Sequence, residues 1–189
     1  MAAILSKLKV TVAATLAIVT ISLPIEVSAA DAGREAELLQ SLAQADPAEA
    51  IAIARELESA WDKSGSAAMD LLLRRGRDAM ERGKLHEAIE HLTALTDHAP
   101  EFAQGWYERS RAFFAADLMG PTVADLERAL ALNPNDYNAI YGLGVVLEHF
   151  GDAAAAHEAY ARAQAIHPHH EEVTRALERL KPAVAGKEL

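Results

Sequence analysis

Cysteine is absent from the 189 residues. That removes disulfides, thiolate metal sites, cysteine nucleophiles and a lipid-modified N-terminal cysteine together, so packing alone must hold the fold. Positive charge is scarce as well: 18 Lys+Arg stand against 28 Asp+Glu, a formal charge of −10. This balance opposes nucleic-acid binding, which rests on cations neutralising phosphates. Aromatic residues make up 5%, with 10 Gly and 7 Pro. Neither a Gly-rich phosphate loop nor a Gly-x-Ser-x-Gly elbow occurs, and no local arrangement pairs a Ser or Asp nucleophile with a His base. Neither catalysis nor a cofactor is therefore expected. Ala, Leu, Glu and Arg recur throughout, the composition of stacked helices.

Long apolar runs are also missing, except one. Lys7 and Lys9 precede Val10 to Leu23, 14 residues without a charge, short of the ~20 that a spanning helix needs. Pro24, Glu26 and the small residues Val27-Ser28-Ala29-Ala30 follow. The pattern is that of a signal peptide over residues 1–30, with cleavage after Ala29 or Ala30. A periplasmic or secreted protein without a stable membrane anchor is expected.

Shifting the sequence by 34 residues aligns Gly76, Ser110 and Gly144; Ala88, Thr122 and Ala156; Leu95, Ala129 and Ala163; and Pro100, Pro134 and Pro168. Bulky groups recur under the same shift: Leu72, Trp106 and Ile140; Ala79, Phe113 and Leu147; Leu92, Leu126 and Tyr160. Each period holds two helical segments parted by a turn signal, at Gly83-Lys84, Asp117 to Pro121, and Gly151-Asp152. Small residues at fixed points let neighbouring helices approach closely, and the proline stops each second helix. Each unit is a helical hairpin.

The set Trp106, Ser110, Phe113, Thr122, Leu126, Ala129, Pro134, with Gly144, Ala156, Tyr160, Ala163 and Pro168 one period later, resembles the tetratricopeptide repeat. With the leader, the chain resembles an exported bacterial member of that family. Three units fit, at residues 69–102, 103–136 and 137–170. Ser110 and Thr122 depart from the usual Gly and Ala, Pro121 sits beside a helix start, and Arg75 and Arg109 stand where the family generally has an aliphatic residue. The resemblance implies an all-α, right-handed solenoid of three hairpins with helical caps at both ends.

Residues 31–68 carry two helical stretches, Arg34 to Ala45 and Pro47 to Lys63, the second opened by Asp46-Pro47. They read as an N-terminal cap or degenerate repeat. Trp61 on the second stretch is expected against the first repeat. Glu171 to Lys181 reads as a C-terminal capping helix, with 182–189 a tail. Histidine clusters suggest no metal centre. His86 and His91 are five apart and diverge by about 140° on a helix, and His167-Pro168-His169-His170 reads as a polar inter-repeat turn.

The resemblance further implies that the first helix of each hairpin lines a concave groove for a segment of a partner protein. The shift puts Asp70, Leu73, Arg77 and Met80, then Gln104, Tyr107, Arg111 and Phe114, then Asn138, Tyr141, Val145 and Glu148 on that face. Arg74, Arg77, Arg111 and Arg175 would form a cationic strip beside Tyr107, Phe114 and Tyr141. Such a strip suits an acidic segment or a free carboxylate. Asp70, Glu81 and Glu108 are equally placed to pair those arginines. The family's carboxylate clamp is not carried over, since Leu73, Arg77, Glu108 and Asn138 occupy its points. An adaptor for a protein partner in the cell envelope is the expected function. A module for glycan or a small ligand, favoured by Trp106 and the tyrosines, is the alternative.

Overall fold

The computed structural model describes residues 26–185, with side chains over 31–182. Nine α-helices and no strand occur among these residues: α1 Glu26–Leu42, α2 Pro47–Trp61, α3 Ala67–Glu81, α4 Leu85–His98, α5 Ala103–Ala115, α6 Met119–Leu132, α7 Tyr137–His149, α8 Ala153–Ile166 and α9 Glu171–Ala185. No described helix is long and apolar enough to cross a membrane. Most of the expected signal segment lies outside the described residues; positions 26–30 are backbone of α1.

The pairs α3/α4, α5/α6 and α7/α8 are the three hairpins. Their turns share one device. Gly83 and Gly151 have φ of 68° and 79°, and Asp117, at the same position of the middle repeat, has φ of 59°. Aspartate tolerates this left-handed conformation better than most side chains. In each turn the next backbone N–H bonds back to the helix: Lys84 to Ala79 O at 2.9 Å, Leu118 to Phe113 O at 2.9 Å and Asp152 to Leu147 O at 3.0 Å. The irregular middle repeat therefore closes like its neighbours. Pro121 sits in the first turn of α6, where no intrahelical N–H bond is lost.

Packing follows the aligned columns. Ala88, Ala156, Leu92, Tyr160, Leu95 and Ala163 have no exposed surface, and Thr122, Leu126 and Ala129 have 1–2%. Leu73, expected in the groove, turns inward at 2% exposure and packs with Leu92 and Leu95. Arg109 is accommodated in a nearly buried site. Its guanidinium forks onto Asp125 at 2.7 and 2.9 Å and reaches Thr96 Oγ1 at 2.7 Å. It lies over the rings of Trp106 and Phe113, 4.8 and 5.5 Å from their centroids.

The N-terminal hairpin departs from expectation. Asp46 caps α2, its carboxylate accepting from Ala48 and Glu49 N–H at 2.9 and 3.0 Å. The apolar face so formed does not cover the first repeat. Leu38, Leu42, Ala50, Ala54 and Leu57 belong to one core with Tyr137, Ile140, Tyr160, Val173 and Leu180, whereas the core of the first repeat contains none of them. Trp61 packs on Tyr137 of the third repeat, ring centroids 5.4 Å apart. His169 Nε2 lies 3.0 Å from the Ala45 carbonyl. The hairpin thus lies over the inter-repeat turns towards the C-terminal end. There its apolar face meets the one formed by α7 to α9. At the other terminus α9 continues through Pro182 to Ala185, so residues 182–185 of the expected tail are helical and 186–189 lie outside the described residues.

Candidate functional site

The first helices α3, α5 and α7 face a common groove made of two adjoining cavities. One, of about 250 Å³, is mainly apolar and runs between Met80, Phe114, Leu126, Val145 and Val146. The other, of about 700 Å³, is polar and lined by Glu58, Asp62, Arg77, Gln104, Glu108, Asn138, His170 and Glu172. Tyr107, Arg111 and Tyr141 line both and join them. Consecutive hairpins place these side chains one above another, and α2 with the start of α9 completes the polar wall.

Of the nine groove residues expected from sequence, Arg77, Gln104, Tyr107, Arg111, Asn138 and Tyr141 meet in the polar cavity, and Phe114 lines the apolar one. Arg74 and Arg175 line neither. Arg74 is exposed, and Arg175 pairs along its own helix with Glu171 at 3.5 Å and Glu172 at 3.3 Å. Trp106 points away from the groove, donating to the Pro100 carbonyl at 2.9 Å. Asp70 is also engaged elsewhere, accepting from Ser64 N–H at 2.9 Å and Ser64 O–H at 2.6 Å.

The arginines that do reach the groove are not a free cationic strip. Arg77 directs Nη1 and Nη2 at the two oxygens of Asp62, each at 2.7 Å, and Nε at Glu108 at 2.7 Å. All three guanidinium nitrogens have carboxylate partners, and these raise its pKa against the opposing effect of burial. Arg111 donates Nη1 to the other oxygen of Glu108 at 2.7 Å and lies 5.9 Å from the Tyr107 ring centroid. Glu108, with 2% of its side chain exposed, therefore ties two arginines together. This geometry withdraws Arg77 from the fork–fork contact an incoming carboxylate would need, whereas half-exposed Arg111 keeps Nε and Nη2 unengaged.

An aromatic file connects the groove to the N-terminal hairpin. Tyr141 stacks on His170 at 5.7 Å and packs against Tyr160 at 5.4 Å; His170 meets Tyr137 edge-on at 5.7 Å; and Tyr137 carries Trp61. Burial pushes the His170 imidazole below its ordinary pKa, which favours the neutral ring. Its Nε2 lies 3.2 Å from Asn138 Oδ1. The Tyr107 and Tyr141 hydroxyls are both raised in pKa, chiefly by burial, and stay protonated. Glu58, Asp62, His170 and Glu172 were not expected in the groove. All lie outside the first helices of the repeats, so the 34-residue alignment assigns them no place on that face.

Comparison with known proteins agrees with this architecture. The tetratricopeptide repeat family matches residues 73–119 and 123–171. A TPR repeat-containing protein of Rhizobium etli is 28% identical over 123 residues, 65% of this chain and 60% of the relative. A protein SGT1 homolog of Bos taurus is 27% identical over 122 residues, 65% of this chain and 36% of that protein. The chain thus spans less than two thirds of either relative. The first tetratricopeptide domain of Spaghetti (RPAP3), solved with the HSP90 peptide SRMEEVD, superposes with a TM-score of 0.60 at 25% identity, covering 64% of this chain and 95% of that one.

Proposed function

The chain belongs to the tetratricopeptide repeat family, and from that premise we propose that it is a non-catalytic adaptor that holds a segment of a partner protein in its groove. The observation that carries this reading is the pair of adjoining cavities along α3, α5 and α7, apolar at one end and polar at the other, bridged by Tyr107 and Tyr141. An extended segment can seat an apolar side chain in one and a polar group in the other, with the rings as rigid contact surface between them. The peptide held by the RPAP3 domain supports the reading by analogy. The rings supply most of the apolar contact, and the paired arginines fix the groove's shape.

We place the adaptor in the cell envelope of a bacterium. Lys7, Lys9, the uncharged stretch Val10 to Leu23 and the small residues Val27 to Ala30 support this. The purified envelope form should begin at Ala30 or Asp31 on N-terminal sequencing, and an uncleaved chain in the cytosol would refute export. The groove is tested with a photo-crosslinking phenylalanine analogue introduced in cells at Tyr141 and, separately, at exposed Glu158. A discrete protein adduct from position 141 and none from 158 is expected. Equal capture at both positions, or none at 141, would place the contact elsewhere.

A further inference from the structure

The polar lobe contains one carboxylate that the fold leaves without a counter-ion. Glu58, half-buried on α2, accepts through Oε1 from the Tyr137 hydroxyl at 2.9 Å and the Asn138 amide at 3.1 Å, both neutral groups. The other carboxylates of the lobe are paired: Asp62 with Arg77, Glu108 with Arg77 and Arg111, and Glu172 with Arg175. Among the described residues no Lys or Arg forms an ion pair with Glu58. A partly desolvated carboxylate without a cation is costly, yet this one stands on the wall of an open cavity of about 700 Å³. Burial lowers the pKa of its neighbour His170, which disfavours a compensating positive charge there.

Resting on the groove reading above, we propose that the partner segment carries a lysine or arginine beside an apolar residue, its cation meeting Glu58 while the apolar side chain enters the slot between Met80, Phe114 and Val145. Charge complementarity selects this occupant over an acidic one. The lobe is lined by four carboxylates, Glu58, Asp62, Glu108 and Glu172, against two arginines, Arg77 and Arg111, so an acidic segment would meet a net negative wall even though Arg111 keeps Nε and Nη2 unengaged. The two lobes adjoin at Tyr107 and Tyr141, so neighbouring side chains of one extended segment reach both. The selectivity comes from the N-terminal hairpin, not from the repeats.

The test is selection of random twelve-residue peptides displayed on phage against the purified protein, followed by fluorescence anisotropy of the enriched peptides. Enriched sequences should pair Lys or Arg with Leu, Ile or Phe. Their affinity should fall about tenfold or more with Glu58→Gln, and likewise with Tyr141→Ala, but not with Arg74→Ala. Glutamine keeps an oxygen to accept from Tyr137 and Asn138, so the hairpin contact survives this substitution. Peptides lost with Tyr141→Ala that are acidic, or indifferent to Glu58→Gln, would overturn the cation assignment and leave the groove standing. Peptides indifferent to both substitutions, or no enrichment at all, would overturn the groove reading too.

Discussion

Gly144 faces Tyr160 so closely that a Cβ there would stand 2.6 Å from ring Cδ1 and 2.9 Å from Cζ. The fully buried ring packs against Tyr141, and its hydroxyl donates to Glu148 Oε2 at 2.7 Å, so it has little freedom to retreat. Gly144→Ala should therefore destabilise by ~1–3 kcal/mol through overpacking. Gly33, inside α1 with nothing within 4 Å of an added Cβ, should gain up to ~1 kcal/mol as alanine. Urea unfolding of the two variants gives the comparison, and equal midpoints would refute it. The cause of this contrast was half legible in sequence, since Gly144 and Tyr160 each fall in an aligned column. Arg109 shows the opposite case. Its partner Asp125 recurs in neither neighbouring repeat, where His91 and Ala159 hold the position, so the pairing is a local solution that periodicity does not register.

At the scale of elements, amphipathic spacing showed that α2 buries a face without saying against what. Trp61 and Leu57 would suit several surfaces, and the choice is made by which one remains uncovered. That choice creates a titrating contact. His167, at the end of α8, meets Tyr137 edge-on at 5.0 Å, its Nδ1 is buried without a hydrogen-bond partner, and burial pushes its pKa down to about 4. Its unfolded value is the ordinary one near 6.5, so between those values the unfolded chain binds more protons and stability falls as pH falls. Asp136, capping α7, runs the other way: burial pushes its pKa up to about 6, so the native state is favoured as pH falls from there towards 4. The two trends oppose each other and flatten the parent's response. His167→Asn, which copies Asn133 one period earlier, removes only the histidine contribution. On acidification from pH 8 to 5 the variant should hold about 2 kcal/mol more stability than the parent. Identical losses in urea titrations at the two pH values would show that His167 does not titrate in this way.

The whole molecule is less one-dimensional than a repeat stack ordinarily is. Solenoids build stability from contacts between successive units, but here residue 45 meets residue 169, and residue 58 meets residues 137 and 138. Those contacts also give the groove its composition. The wall made by α3, α5 and α7 was legible in sequence because the period itself aligns it. Glu58 was not, because its place depends on where a non-repeating hairpin docks across the far end of the chain. The same docking should couple the two ends energetically. Leu57, fully buried in the core that joins α2 to α7, α8 and α9, is the point to test it. Leu57→Ala should cost ~2–5 kcal/mol. In native-state hydrogen exchange that loss should appear in amides of α8 and α9 as well as in α2. The amides of α4 around Leu92 and Leu95 belong to a separate core and should retain more of their protection. A loss of protection confined to α1 and α2 would mean that the hairpin opens alone. The last two hairpins would then stand without it, and Glu58 would leave the groove in each such opening.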